Sequence, residues 1–186
     1  MNETIQTIRT RRSIRKFSQE QVPDEMAELV LEAGRIAPCS MNRQERHFTV
    51  IQSKELLDLL NREAKAFAVH LENRYLSLMA QSENFNIFYS APLVIVVSGP
   101  EKRSMVESDC AAAIQNMLLA AESLGLGGCW INFILFAFQG ANAEENLSKL
   151  GLPDGYVPFG SISVGYKDDE PAGEREIRGN TVNFIL

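Results

Sequence analysis

Five positive charges crowd into eight residues near the N-terminus: Arg9, Arg11, Arg12, Arg15 and Lys16. Removing these five from the chain's net charge of −6 leaves −11 for the rest. Like charges this close repel unless water or an anion offsets them. Guanidinium forks match phosphate oxygens two at a time, and Ser13 adds a hydroxyl donor. An anion site of phosphate type is therefore one reading of the cluster. A solvated basic face and a nucleic-acid arm are the other two, and the acidic remainder opposes the last.

Other reactive side chains are sparse. His47 and His70 are the two histidines, one opening an expected strand and one in an expected helical region beside Glu72, and both read as structural or surface residues. Cys39, Cys110 and Cys129 are too few and too scattered for a disulfide framework or a zinc site. No GxSxG or HExxH occurs, and neither does GxGxxG or GxxxxGK[ST]. Gly125-Leu126-Gly127-Gly128 follows a helix rather than a strand, the reverse of a dinucleotide turn. An enzyme built on these residues takes its reactive group from a bound organic cofactor, with the protein supplying orientation and charge.

Several elements must hold such a site. Val22, Met26, Leu29, Val30, Ala33 and Ala37 recur at helical spacing after Pro23, Asp24 and Glu25. Ser53 is an expected N-cap before Leu56, Leu57, Leu60 and Ala64. Residues 107–124 predict a helix of about five turns that stops at Gly125. Its small residues, Ala111, Ala112, Ala113, Ala120 and Ala121, suit either a core helix or a subunit interface. Strands are expected at 47–52, 93–98, 128–132 and 160–166, the second covered on both faces because its β-branched run is unbroken. Helices and strands alternate into one sandwich, and the spacing leaves strand direction open.

The chain has 186 residues, 45% apolar and 23% charged, with a mass of 20.8 kDa, which fits one globular domain over 1–186. Residues 168–186 read as an irregular tail whose apolar Val182, Phe184 and Ile185 must bury on this chain or on a partner. The opening residues carry no apolar leader, and the uncharged stretch 123–143 is too broken by glycine and polar residues to span a bilayer. A cytoplasmic protein with reduced thiols, bound neither to nucleic acid nor to membrane, is the expectation.

Four segments in order resemble the FMN-dependent nitroreductase family. They are Arg11-Arg12-Ser13-Ile14-Arg15-Lys16-Phe17; Ala37-Pro38-Cys39-Ser40-Met41-Asn42-Arg43-Gln44; Asp109 to Ile131, with Leu124-Gly125-Leu126-Gly127-Gly128-Cys129-Trp130-Ile131 at its end; and Gly165-Tyr166 followed by an acidic turn and a basic tail through Arg178-Gly179-Asn180-Thr181-Val182. The resemblance implies an α+β fold, a sandwich whose central, mostly antiparallel sheet is flanked by helices. It also implies a domain-swapped homodimer with two FMN sites between subunits, the tail packing on the partner.

By position, the resemblance assigns Arg11, Arg12 and Ser13 to the FMN phosphate and ribityl chain, and Arg15 to the pyrimidine edge. Pro38, Cys39, Ser40, Met41 and Asn42 would line the opposite side from the other subunit. Ile131 and Asn132 would lie at the N5 edge through backbone groups, Asn86 and Asn84 at the flavin edge, and Arg178 with Arg175 back at the phosphate. The implied activity is hydride transfer from NADH or NADPH, by a ping-pong cycle, to a small electron-poor acceptor of nitroaromatic or quinone type. No catalytic side chain and no metal are expected. A flavin protein for storage, sensing or breakdown, and a non-flavin anion-binding or nucleic-acid module, are the alternatives. The sequence departs from the family pattern at Glu45-Arg46-His47, in place of Pro-Trp, which predicts a more charged entrance. It departs again at Asn132-Phe133, in place of Gly-Gly, and the apolar run 133–138 reads either as the wall of a substrate pocket or as packing.

Overall fold

A computed structural model describes residues 2–169, 179 and 182–185. Asn2 caps α1 (Glu3–Thr10) by accepting the Thr4 N–H at 2.9 Å, and α2 (Asp24–Arg35) starts after Pro23. A short 3-10 turn (Ser40–Asn42) precedes β1 (His47–Ile51). Ser53 caps α3 (Lys54–Ala68) as its position predicts, and α4 (Arg74–Gln81) is capped by Asn73. Then come β2 (Leu93–Pro100), α5 (Val106–Ser123), β3 (Leu126–Ile131), a 3-10 turn over Phe133–Phe138, α6 (Ala143–Ser148) and β4 (Tyr156–Tyr166). Gly125 adopts a φ of 77° between α5 and β3, a conformation glycine takes without strain.

The four strands form one fully antiparallel sheet in the order β1-β2-β4-β3, which settles the strand direction that spacing left open. Leu93, Ile95, Val97, Ile162, Val164 and Leu126 face α2 and α5. Val94, Val96, Ile51, Cys129 and Ile131 face α3 and the Phe133–Phe138 turn. β2 is therefore covered on both sides, and Leu93 to Val97 are each 0% exposed. Burying side chains of this size contributes roughly 1.5–3 kcal/mol apiece.

The small residues of α5 divide by face. Ala113 and Ala121 lie in the core, while Ala111, Ala112 and Ala120 stay half-buried. The apolar run 133–138 is a 3-10 turn rather than a loop, packed onto α3. Phe136 stacks on Phe67 at 6.0 Å and meets Phe133 edge-on at 5.1 Å, and Phe133 reaches Phe85 at 5.4 Å. His70 sits in the turn after α3 rather than inside a helix. At the C-terminus Val182, Phe184 and Ile185 are exposed and form no strand.

Candidate functional site

The basic cluster continues from α1 into a segment pinned along the open edge of the sheet. The Arg11 N–H closes α1 on the Thr7 carbonyl at 2.9 Å. Ser13 bridges Gly128, and the Ile14 N–H donates to the Gly128 carbonyl at 3.1 Å. Phe17 then bridges Lys167, and the Ser18 N–H donates to the Tyr166 carbonyl at 3.0 Å. Ile14 and Phe17 are buried, which leaves Arg15 and Lys16 exposed. Gly127 makes the close approach possible, because a Cβ there would lie 2.8–3.0 Å from the Ile14 side chain. Two ion pairs hold the far end: Lys16 with Asp168 at 3.1 Å, and Lys167 with Glu122 of α5 at 3.0 Å.

Arg15 and Arg11 lie close enough to β3 to act on one of its side chains. Burial pushes the Cys129 thiol up, and the positive charges of Arg15 and Arg11 oppose that rise, so both act on the same strand residue. Arg15 also lies over the Tyr89 ring, 5.8 Å from its centre. Tyr89 and Ser90 have a left-handed φ of 56°, held by Asn86, whose Oδ1 accepts the Phe88 and Ser90 N–H groups at 2.9 and 3.3 Å. Asn86 thus builds the turn that carries Tyr89 beneath Arg15. It also lines a cleft of about 440 Å³ at the start of α3, together with Gln19, Gln52, Lys54 and Asp58.

The segment 38–44 forms a second group. The Ser40 N–H and hydroxyl both donate to Asp109 Oδ1, at 2.8 and 3.2 Å. Met41, Asn42 and Gln44 take left-handed φ values of 55°, 52° and 55°. The Gln44 N–H donates to Cys39 Sγ at 3.3 Å, and Gln44 Nε2 to Asn42 Oδ1 at 2.9 Å. Pro38, Met41 and Asn42 are exposed. Arg46 belongs to the Glu45-Arg46-His47 departure for which a more charged entrance is expected. Its guanidinium turns onto main-chain carbonyls, and Glu45 pairs with Arg103 at 2.8 Å.

A third group closes β3. Ile131 is buried, and its carbonyl accepts the Ser161 hydroxyl at 3.1 Å. Exposed Asn132 accepts the Trp130 indole N–H. A Cβ on Gly160 would touch both the Asn132 oxygen and Ile114 of α5, which places Asn132 beside the middle of that helix. Gly128, where the arginine segment docks, packs against Leu118 and Ala121 nearer the helix's end. Asp109, which holds the loop, lies in the first turn. The 12 residues from Asp109 to Ala121 span about 18 Å along the axis. The main chain at Ser13 and Ile14 therefore docks near one end of α5, and Ser40 is held at the other. Arg175 and Arg178 lie outside the described residues.

The donor set at the first end suits a phosphate monoester, since arginine forks and a serine hydroxyl gather where the rest of the chain is acidic. Among the described residues no group of three or more His, Cys, Asp or Glu could hold a metal ion. Among them, too, no helix is long and apolar enough to cross a membrane.

Residues 8–166 match the Nitroreductase family. The chain belongs to the nitroreductase family. Over 100% of both chains it superposes, with a TM-score of 0.92 and 32% identity, on a nitroreductase with bound FMN from Bacteroides fragilis. A relative from Archaeoglobus fulgidus, provisionally named NADH dehydrogenase/NAD(P)H nitroreductase, is 35% identical over 91% of this chain and 88% of its own. The NADPH-flavin oxidoreductase of Vibrio harveyi is 31% identical over 92% of this chain and 68% of its own. The nitroreductase match takes in the arginine segment, the 38–44 loop and all four strands.

The sequence alone did not reveal three residues that build this arrangement. Asp109 reaches Ser40 across 69 positions, and Arg46 gathers carbonyls from two helices and a loop. Tyr89 meets Arg15 only once the sheet has formed. Arg46 carried one signal, its departure from the family pattern, but that did not show which way the side chain turns.

Proposed function

We propose that this nitroreductase is an NAD(P)H-dependent FMN oxidoreductase, a homodimer of one domain over 1–186, acting on small electron-poor acceptors. The observation that carries the reading is the Arg11–Arg15 segment, docked onto Gly127 and Gly128, in a chain whose whole length follows an FMN-bound relative. Bound FMN would supply hydride transfer at N5, from NADH or NADPH to a nitroaromatic or quinone, in two half-reactions.

The protein's part is binding and electrostatics. Arg11, Arg12 and Ser13 would hold the phosphate and ribityl chain, joined by Arg175 or Arg178. Arg15 would keep positive charge at the pyrimidine edge, which favours reduction because negative charge gathers there. Asn86 would act through the turn it builds, and Ile131 and Asn132 would border the N5 edge. The loop of Pro38, Cys39, Ser40, Met41 and Asn42 stands about 18 Å along α5 from the arginines, so it would serve the site of the other subunit. Exposed Phe184 and Ile185 support the same assembly, because a partner surface would cover them. Free cysteines and a net charge of −6 suit a cytoplasmic reductase that engages neither nucleic acid nor membrane.

The test is direct. Purified protein should be yellow, and its flavin should be reduced by NADPH or NADH and then reoxidised by a quinone when the two are mixed with it in turn anaerobically. Arg11→Ala should weaken FMN retention by about tenfold or more, because a hydrogen bond to a charged group contributes roughly 1.5–3 kcal/mol. A colourless wild type, or an Arg11→Ala protein that keeps its colour through dialysis, would refute the assignment. A yellow protein inert toward both nicotinamides would instead be a flavin carrier or sensor.

A further inference from the structure

The loop 38–44 is strained, and Arg46 and Asp109 tie it to the helices beside it. Three non-glycine residues, Met41, Asn42 and Gln44, hold left-handed φ values within four positions. Such residues persist where their surroundings over-determine them. Arg46 holds the base of the loop. Its Nη1 donates to the Pro38 carbonyl at 3.1 Å and to the Asp109 carbonyl at 3.2 Å. Its Nη2 donates to the Ala37 carbonyl at 2.7 Å and to the Arg35 carbonyl at 3.2 Å. One planar fork thus ties the end of α2, the root of the loop and the first turn of α5. A cation beside the final carbonyls of α2 is also where the helix dipole favours positive charge. Asp109 completes the clamp by holding the Ser40 N–H and hydroxyl.

We propose that Arg46 is a positioning residue of the flavin site: by clamping loop 38–44 to α2 and α5 it sets the conformation that this chain offers to FMN. The inference rests on the assignment of FMN and adds a residue that touches neither cofactor nor substrate. The fork is required rather than the charge, because a lysine ammonium is a point donor that does not span two pairs of carbonyls in one plane. Arg46→Lys and Arg46→Ala should therefore behave alike.

The experiment measures FMN affinity by fluorescence quenching at 25 °C for wild type, Arg46→Ala, Arg46→Lys and the control Glu45→Ala. It also follows the visible circular dichroism of bound FMN and the melting of each apoprotein. Both Arg46 variants should bind FMN about tenfold more weakly with an altered visible dichroism, while their far-ultraviolet spectra at 25 °C match wild type. Glu45→Ala, which removes only the surface pair with Arg103, should match wild type in all respects. Should Arg46→Ala not fold, Arg46→Lys carries the test. A lower melting temperature with unchanged FMN affinity and dichroism would reduce Arg46 to a structural part and overturn the proposal. Full rescue by lysine would overturn it too, because charge alone would then suffice. A wild type that takes up no FMN would defeat the functional assignment itself, an outcome distinct from variants that bind as well as wild type.

Discussion

Cys110 and Cys129 show how burial alone settles the chemistry of a side chain. Burial pushes the Cys110 thiol up to about 12, with Arg46 opposing the rise and Asp109 and Glu107 adding to it. Cys129 moves the same way for the same main reason. The nucleophile is the thiolate, so both groups stay protonated and inert near pH 8. Cys39 is the partly exposed one. Native protein should therefore release no more than one equivalent of colour with a disulfide reagent at pH 8, and three after denaturation. Two or more from the native state would show that the sheet opens around Cys129. The sign of the pH effect on folding follows. The stability from keeping Cys110 protonated is full below the ordinary thiol range, and it is lost as pH rises toward 12.

At the scale of elements, the arginine segment and β3 form one unit, and Gly127 is its hinge point. Gly127→Ala would drive a methyl into Ile14 at 2.8–3.0 Å, where the contact is with Cβ and Cγ atoms close to the main chain. Overpacking of this kind costs about 1–3 kcal/mol. The expected result is a lower midpoint in urea together with weaker FMN binding, since the methyl displaces Ser13 and Arg15 with Ile14. Lower stability with unchanged FMN affinity would show that segment and site are independent.

The elements with strong periodicity were legible: β2 from its unbroken β-branched run, α5 from its alanines and leucines with Gly125 behind them, and α3 from Ser53. α1 and α4 were not. α1 is largely polar and α4 spans only eight residues, and only Asn2 and Asn73 marked their starts. The Phe133–Phe138 turn escaped because a single 3-10 stretch is too short to show a period. Of the candidate site, the cationic half was visible in charge density alone. The clamp of Arg46 and Asp109 was not, because it joins residues 63 and 69 positions apart that meet only after α5 packs on α2.

For the whole molecule, the two ends of α5 make a demand on assembly. On the proposed reading, a chain that presents arginines at one end and the loop at the other would complete a flavin site by antiparallel, isologous pairing with a copy related by a two-fold axis. Mixing variants tests this. Arg11→Ala subunits and subunits with Ser40 and Asn42 both changed to alanine should each bind FMN poorly as homodimers. Heterodimers formed by unfolding and refolding the mixture place both lesions in one site and leave the other intact. About one tightly held FMN per heterodimer is expected. No recovery on mixing would mean that loop and arginines serve the same chain's site.

The docking of Ser13 and Ile14 onto β3 has one more consequence. β3 is an outer strand of the sheet, and its free amides and carbonyls would otherwise template pairing with stray chains. The stretch proposed to hold the cofactor is thus also the guard of that border. On that proposal, ligand occupancy and colloidal behaviour would be coupled by mass action: saturating FMN would hold the guard in place, and stripping it would leave the border more often bare. Light scattering from stored apoprotein should accordingly rise faster than from the flavin-saturated form, and equal rates would show that the guard stays down without help.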